Sequence, residues 1–159
     1  MLPTRLGRSD IQRLQKNRFP LLMVDSVEEL VPYKSAVLRR LFCEREWFFE
    51  IHWPDDPNVP GALQLEMLFQ AASLMILCDE RNSGQVMYVR KIFQVEFLTK
   101  ITPNMEVFVR VDLVSFRYGL ARCRGVITSS NGCIITRAEF LLTLPSSILR
   151  VQKPEGGTA

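Results

Sequence analysis

Residues 60–78 read PGALQLEMLFQAASLMILC, and their apolar side chains occupy nearly every face of a helix. The Pro60-Gly61 pair suits the start of a helix, and the polar run DERNSG at 79–84 marks its end. This pattern predicts a helix from Gly61 to about Cys78 that is surrounded by protein. The stretch includes one acid, Glu66.

Immediately before the helix, residues 52–60 read HWPDDPNVP and include three prolines. This composition excludes regular structure and predicts a stiff, ordered loop. The loop contains the only histidine of the chain, His52. An imidazole titrates near neutrality, while a carboxyl group among leucines should be desolvated and hold its proton more tightly than in water. His52 and Glu66 are therefore candidates for an acid and base couple.

The rest of the chain predicts one short helix and about six strands. Ser9-Asp10 begins a capped helix that ends before Asn17. A turn at residues 32–34 joins an antiparallel pair of strands, and Asn131-Gly132 is a strong hairpin signal. The strand-like runs are residues 19–31, 35–43, 86–98, 106–116, 120–128 and 133–144.

One fully apolar helix among about six antiparallel strands predicts an α+β fold. Only a strongly curved sheet wrapped around the helix could cover all its faces, which is the hot-dog arrangement. We expect a single domain over residues 1–148 and a flexible tail at 149–159.

Composition limits the classes of function. The chain has 159 residues, and its hydrophobic content of 47% argues against disorder. The net charge is +3, and basic residues are spread from Arg5 to Lys153, which argues against nucleic-acid binding. An acidic protein partner is compatible with this charge.

The four cysteines form no CxxC pair, and with one histidine they predict no metal site. Their apolar neighbours favour buried thiols in a reducing compartment. The apolar runs are too short to span a bilayer, and the first ten residues show no export signal. We therefore expect a cytoplasmic protein that has no membrane-spanning segment and binds no metal or cofactor.

The run FFEIHWP at 48–54, Pro57, Pro60-Gly61 and the segment from Glu66 to Gln70 resemble the signature of the 3-hydroxyacyl-[acyl-carrier-protein] dehydratases of the FabA/FabZ type. In that family a His-aromatic-Pro opens a proline-rich loop, Pro-Gly starts the central helix, and an acid follows fourteen positions after the histidine, as Glu66 follows His52. Residues 17–25, 93–103 and 124–144 resemble other parts of the family's sequence.

The resemblance implies dehydration of a carrier-bound 3-hydroxyacyl thioester to a 2-enoyl thioester. His52 would be the base for the C2 proton, Glu66 the acid for the C3 hydroxyl, and the Gly61 N–H the donor to the thioester carbonyl. It also implies that the histidine of one subunit meets the acid of the other. The expected partners are an acyl carrier protein with a phosphopantetheine-linked chain and a second copy, in a homodimer or a trimer of dimers.

Four apolar residues are nominated for the acyl tunnel: Phe49, Trp53, Leu65 and Phe69. Ordinary core packing accounts for the aromatic ones equally well. Gln70 lies one helical turn after Glu66 and is expected to hold its carboxyl group. Arg90, Lys91 and Lys100 suit either an acidic carrier or a solvated strand edge.

Three positions depart from the resemblance. Ile51 replaces a glycine before the histidine, and its branched side chain is expected to narrow the pocket or tilt the imidazole. Lys16-Asn17 replaces a histidine ahead of Arg-aromatic-Pro, and Pro103-Asn104-Met105 replaces a Pro-Gly-Asp turn. These departures favour a specialised lipid or polyketide-like pathway.

Glutamate at position 66, rather than aspartate, resembles the branch of the family that dehydrates without isomerising the double bond. Two alternatives stay open for this fold. One is a thioesterase, in which the acid would activate water. The other is a non-catalytic subunit that binds acyl chains or serves as a scaffold.

Overall fold

The computed structural model describes residues 5–145, which form one antiparallel sheet of six strands and two helices. The strand order is β1-β2-β4-β5-β6-β3. The expected tail at 149–159 lies outside the described residues. In chain order the elements are α1 (Arg8–Leu14), β1 (Ser26–Val31), β2 (Ser35–Leu41), α2 (Gly61–Leu77), β3 (Tyr88–Phe97), β4 (Glu106–Arg117), β5 (Leu120–Ser129) and β6 (Ile134–Thr143).

Helix α2 is the centre of the core, and the curved sheet covers it. Its side chains pack against four inner strands, β2, β4, β5 and β6, and it also contacts β1 and α1. A Cβ atom at Gly125 of β5 would lie 2.6 Å from Cδ2 of Leu68, so glycine there allows the helix to approach the sheet closely. The hot-dog prediction is confirmed.

The alternation predicted for the later strands is present in β4. Val107, Val109 and Val111 are fully buried, whereas Arg110 and Asp112 are exposed. The inner face of the sheet therefore packs on the helix while the outer face is solvated. The predicted turn between β5 and β6 is also present, with Gly132 at a φ of 84°.

Strand β3 follows β2 and α2 in the chain but lies at the opposite edge of the sheet from β1, next to β6. Along the described sheet it pairs with β6 alone. Its large apolar side chains include Val89, Ile92 and Phe97, all of them exposed. An edge strand with this much apolar surface marks a place where another chain can pair.

Three expectations about local structure were wrong. The first strand begins at Ser26, not near residue 19, because the segment before it bonds to α2 instead of a neighbouring strand. Helix α1 begins at Arg8, one residue before Ser9. Cys43 and Cys133 are exposed because they lie just after a strand and just before one, whereas Cys123 inside β5 is buried.

No helix within residues 5–145 is long and apolar enough to cross a membrane.

Candidate active site

The proline-rich loop is irregular but well anchored, as its composition predicts. The backbone N–H of Val59 donates to the carbonyl of Ile101 at 2.9 Å, which ties the loop to the segment after β3. The amide of the buried Asn58 donates to the Asp56 carbonyl at 2.7 Å. Asp56 also forms an ion pair with Lys100. These contacts fix the loop before α2 begins.

The His52 imidazole is held in one orientation. Its Nδ1 lies 3.3 Å from the carbonyl oxygen of Asn58, and its ring stacks on Trp53 with centroids 4.5 Å apart. Because a carbonyl can only accept, Nδ1 carries the hydrogen in this contact. The neutral ring therefore has its lone pair on Nε2, which is the arrangement a general base needs.

A cleft of about 400 Å³ lies beside this imidazole. One wall comes from the loop, the second from the first turn of α2, and the third from the end of β3 and the residues after it. The lining residues are His52, Trp53, Asn58, Val59, Gly61, Gln64, Phe97, Leu98, Thr99 and Lys100. The cleft thus brings together the predicted base and the predicted carbonyl donor.

Gly61 is the first residue of α2, so no earlier turn of the helix accepts its N–H. The ring of Phe97 lies against it, and a Cβ atom on Gly61 would be 2.9 Å from Cζ of Phe97. Glycine at this position leaves room for the Phe97 ring beside the first N–H groups of the helix. Such groups favour negative charge on a bound oxygen.

Glu66 is partly buried and is held by two amides. Its Oε1 accepts from Nε2 of Gln70 at 2.8 Å and from Nδ2 of Asn17 at 3.0 Å. Burial raises the pKa of this carboxyl group, and the two amide donors lower it by less. A raised pKa is what an acid catalyst near neutral pH requires.

Within one chain, His52 and Glu66 belong to different surfaces. No hydrogen bond joins them among residues 5–145, and Glu66 does not line the His52 cleft. At about 100° per residue, Glu66 lies about 160° around the helix from Gln64, which faces the cleft. Gln64 and Glu66 therefore point to nearly opposite sides of α2.

The nominated tunnel residues occupy three kinds of position. Trp53 lines the His52 cleft and is exposed. Phe49 is buried and packs edge-on against Phe48, while the partly buried Phe69 packs in the same way on Phe140. Leu65 is partly buried against the core. Contact of these four residues with an acyl chain stays a prediction.

Two residues of the site were not predicted from the sequence. Gln64 is buried on the cleft, donates to the Val59 carbonyl at 3.0 Å and accepts from the hydroxyl of Thr136. Asn17 reaches Glu66 from a segment 49 residues away. The one sequence signal for Asn17 is its place before Arg18-Phe19-Pro20, where the resembled family carries a histidine.

The structure shows the surroundings of two residues that depart from the family pattern, Ile51 and Asn104. The Ile51 side chain is 69% exposed and does not line the cleft, so the described chain gives no sign that it narrows this space. Asn104 has a φ of 64°, a conformation that favours glycine and that asparagine tolerates better than most residues. Asparagine can therefore adopt the conformation of this turn in place of a glycine.

A six-stranded sheet around a central helix, preceded by the His52 loop, defines the class: a hot-dog protein. Residues 16–139 match the family model of the FabA-like domain. The chain therefore belongs to the FabA-like family.

Curated relatives of similar length are known. The chain is 31% identical over 139 residues to the 3-hydroxyacyl-[acyl-carrier-protein] dehydratase FabZ of Clostridium botulinum strain Okra, covering 87% of this chain and 96% of the relative. It is 34% identical over 130 residues to FabZ of Lactiplantibacillus plantarum, covering 80% and 88%.

Solved structures share the fold at low identity. The dehydratase heterocomplex ApeI:P from Xenorhabdus doucetiae superposes with a TM-score of 0.74 at 12% identity, over 96% of this chain and 99% of that one. A hypothetical thioesterase with coenzyme A from Streptococcus pneumoniae gives 0.58 at 12% identity, over 74% and 83%. At such identity these likenesses concern the fold alone.

Proposed function

We propose that the chain is a dehydratase that converts a carrier-bound (R)-3-hydroxyacyl thioester to the trans-2-enoyl thioester, in fatty-acid or specialised lipid biosynthesis. The observation that carries the proposal is the oriented His52, whose Nε2 has no hydrogen-bond partner among residues 5–145 and lies beside the cleft at the N-terminus of α2. Family membership and the two FabZ relatives support the same reaction.

The reaction removes a proton from C2 and a hydroxyl group from C3. Nε2 of His52 takes the C2 proton, and the electrons of that C–H bond form the C2–C3 double bond. The C3–O bond breaks as Glu66 gives its proton to the departing oxygen, and water leaves. His52 then holds one additional proton and Glu66 has lost one, so the charges balance.

The thioester carbonyl has to carry negative charge while C2 loses its proton. The Gly61 N–H is our candidate for this role, because Gly61 lines the cleft and begins α2, at the positive end of the helix dipole. The acyl chain extends from the cleft along the nominated apolar residues.

The working site needs two subunits in this proposal. Gln64 and Glu66 lie on nearly opposite sides of α2, so an acid supplied by a second copy accounts for the reaction better than the acid of the same chain. Exposed apolar residues on the β3 edge offer the pairing surface. Phe97 and Leu98 belong to both this edge region and the cleft, so pairing there would bring the partner close to His52.

The delivering partner in this proposal is an acyl carrier protein. Lys100 lies at the cleft, although it is already paired with Asp56, and Arg90 and Lys91 lie exposed on β3. Docking of an acidic carrier to these residues stays a prediction. A cytoplasmic location and assembly into a trimer of dimers stay predictions as well.

The proposal is tested with 3-hydroxyacyl chains of several lengths on a carrier protein, followed by mass spectrometry. We expect the wild type to form the 2-enoyl product, and His52→Ala and Glu66→Gln each to lower kcat by at least about a thousandfold. Glu80→Gln makes the same chemical change at an exposed position beyond α2 and should leave turnover unaltered.

Circular dichroism would establish that the variants remain folded. Full activity in both His52→Ala and Glu66→Gln would contradict the proposal. Release of free thiol without any enoyl product would identify a thioesterase instead. Tight binding of the acyl carrier with no turnover at any chain length would identify a non-catalytic subunit.

A further inference from the structure

The two oxygens of Glu66 have different surroundings. Both of its amide contacts, from Asn17 Nδ2 at 3.0 Å and Gln70 Nε2 at 2.8 Å, go to Oε1. Among the described residues no donor is paired with Oε2. The carboxyl group is therefore fixed by one oxygen and free at the other.

In its contact with Glu66, the side-chain amide of Gln70 can act only as the donor. Its Oε1 already accepts the backbone N–H of Met23 at 3.0 Å, and its Nε2 also donates to the carbonyl of Leu21 at 2.6 Å. Flipping the amide would place its oxygen against the Leu21 carbonyl and its nitrogen against the Met23 N–H, which breaks both contacts. The buried network thus fixes which end of the amide faces the acid.

An oxygen that accepts two N–H donors is the carbonyl-like oxygen of a protonated carboxyl group. The hydroxyl hydrogen must then be on the other oxygen, because a hydroxyl oxygen is the poorer acceptor. We infer that Asn17 is a positioning residue for the acid, and that together with Gln70 it places the transferable proton on Oε2 of Glu66. This inference rests on the proposed function, in which Glu66 is the proton donor.

The same two donors assist when the proton leaves. The Oε2–H bond breaks as the substrate hydroxyl becomes water, and the resulting carboxylate keeps both amide donors on Oε1. Hydrogen bonds to a charged acceptor are stronger than those to a neutral one, so their benefit increases as the charge develops. Asn17 therefore acts mainly on the catalytic step and less on substrate binding.

Neither of the two charged residues next to Asn17 in sequence has a hydrogen bond to Glu66 among the described residues. The Arg18 guanidinium donates to the carbonyls of Gln12, Gln15 and Asn17, and Lys16 is exposed. Burial and the amides of Gln70 and Asn17 are the causes that move the pKa of Glu66. An amide does not titrate, so Asn17 donates equally well at every pH at which the protein is folded.

The test combines two measurements on Asn17→Ala and Asn17→Asp. Carbon-13 NMR of labelled glutamate side chains, with Glu66→Gln to assign the resonance, should show the Glu66 titration moving to higher pH in both variants. Alanine removes a donor, and aspartate adds a like charge. The fall of kcat/KM at high pH should move in the same direction, and kcat should decrease about tenfold with KM little changed.

Asn17→His is the rescue variant, because a neutral imidazole restores an N–H donor where the resembled family has histidine. It should recover most of the lost kcat above pH 7. Asn131→Asp, an exposed change of the same charge in the β5–β6 turn, should alter neither measurement.

A Glu66 titration that is the same in the wild type and both Asn17 variants would overturn the inference. So would a loss of activity that is uniform across pH and equal in Asn17→Ala and Asn17→His, since that result indicates a purely structural role. The NMR titration does not depend on turnover. Full activity of Glu66→Gln would instead contradict the proposed function, whatever the titration shows.

Discussion

Glu66 differs from an ordinary acid on a helix because it is partly buried and its contacts are amides, not cations. Burial favours the neutral form and raises its pKa, while the two donors limit that rise. The protein therefore keeps a protonatable acid at a position where a salt bridge would have stabilised the anion. Ionisation of this partly buried carboxyl group therefore lowers the free energy of unfolding by a measurable amount.

The cost appears in the pH dependence of unfolding. Because the folded pKa of Glu66 is raised above its ordinary value of 4.5, folding favours the protonated form, and stability is lost as pH rises through the folded pKa. Glu66→Gln keeps a neutral side chain that can still accept from Asn17 and Gln70. Urea unfolding at pH 4 and pH 7 should show the variant gaining stability relative to wild type at the higher pH. A difference that is constant with pH would contradict this prediction.

Gly61 gives a second prediction about a single residue. In Gly61→Ala the added Cβ would lie 2.9 Å from the Phe97 ring, so either the ring moves or the cleft narrows around the N–H groups. We expect kcat/KM to decrease about tenfold or more, because small misplacements in a reactive site are costly. Gly7→Ala, where the nearest atom is 3.8 Å away, is the control. Equal kcat/KM for Gly61→Ala and wild type would count against Gly61 as the carbonyl donor.

Sequence reasoning reached some of these residues and not others. Gln70 could be predicted because it is one helical turn from Glu66, and that separation fixes their contact. Asn17 could not, because its contact depends on how a segment 49 residues away packs on α2. Periodicity describes neighbours within an element, whereas contacts between distant segments follow from tertiary packing.

Among the elements, α2 is tied to both the loop and the sheet through Gln64. Its buried side chain donates to the Val59 carbonyl of the loop and accepts from the Thr136 hydroxyl of β6. Through these two hydrogen bonds, Gln64 fixes the positions of the first turn of α2, the loop and β6 relative to one another. A hydrogen-bonded junction of three elements therefore lies beside the cleft, which Gln64 and Val59 line.

Breaking this junction should destabilise the protein measurably. Gln64→Leu leaves the Thr136 hydroxyl and the Val59 carbonyl without that partner, which should cost about 1–3 kcal/mol of unfolding free energy. Adding Thr136→Val should recover part of the loss, because the valine needs no partner. On the same strand, the buried Thr143 hydroxyl has no partner among the described residues, so Thr143→Val should be neutral or stabilising. Equal losses in Gln64→Leu and Thr143→Val would contradict this assignment.

The elements themselves were largely predictable, because their patterns are local. The apolar run predicted α2 to within a residue, and the Asn131-Gly132 turn signal separated β5 from β6. The start of β1 was not predictable: residues 19–25 look extended, but Gln70 of α2 binds their backbone at Leu21 and Met23. A helix side chain there replaces the neighbouring strand that the pattern suggested.

At the scale of the whole molecule, the β3 edge decides how the proposed site is completed. Ile92→Lys places a charge on the exposed apolar edge and should convert the proposed dimer to monomers with little activity. Light scattering coupled to size exclusion would measure the mass. Val114→Lys, on β4 away from the edge and similarly exposed, should remain dimeric and active. A wild-type chain that is monomeric but active alone would contradict the two-subunit site.

Complementation between inactive variants tests the shared site most directly. His52→Ala and Glu66→Gln are mixed, unfolded and refolded together, and turnover of the 3-hydroxyacyl substrate is measured. If base and acid come from different subunits, each mixed dimer has one intact site, so an equal mixture should recover about a quarter of the wild-type activity. If both residues act within one chain, every site in the mixture lacks one of them. A refolded mixture as inactive as either variant alone would therefore contradict a site shared between subunits.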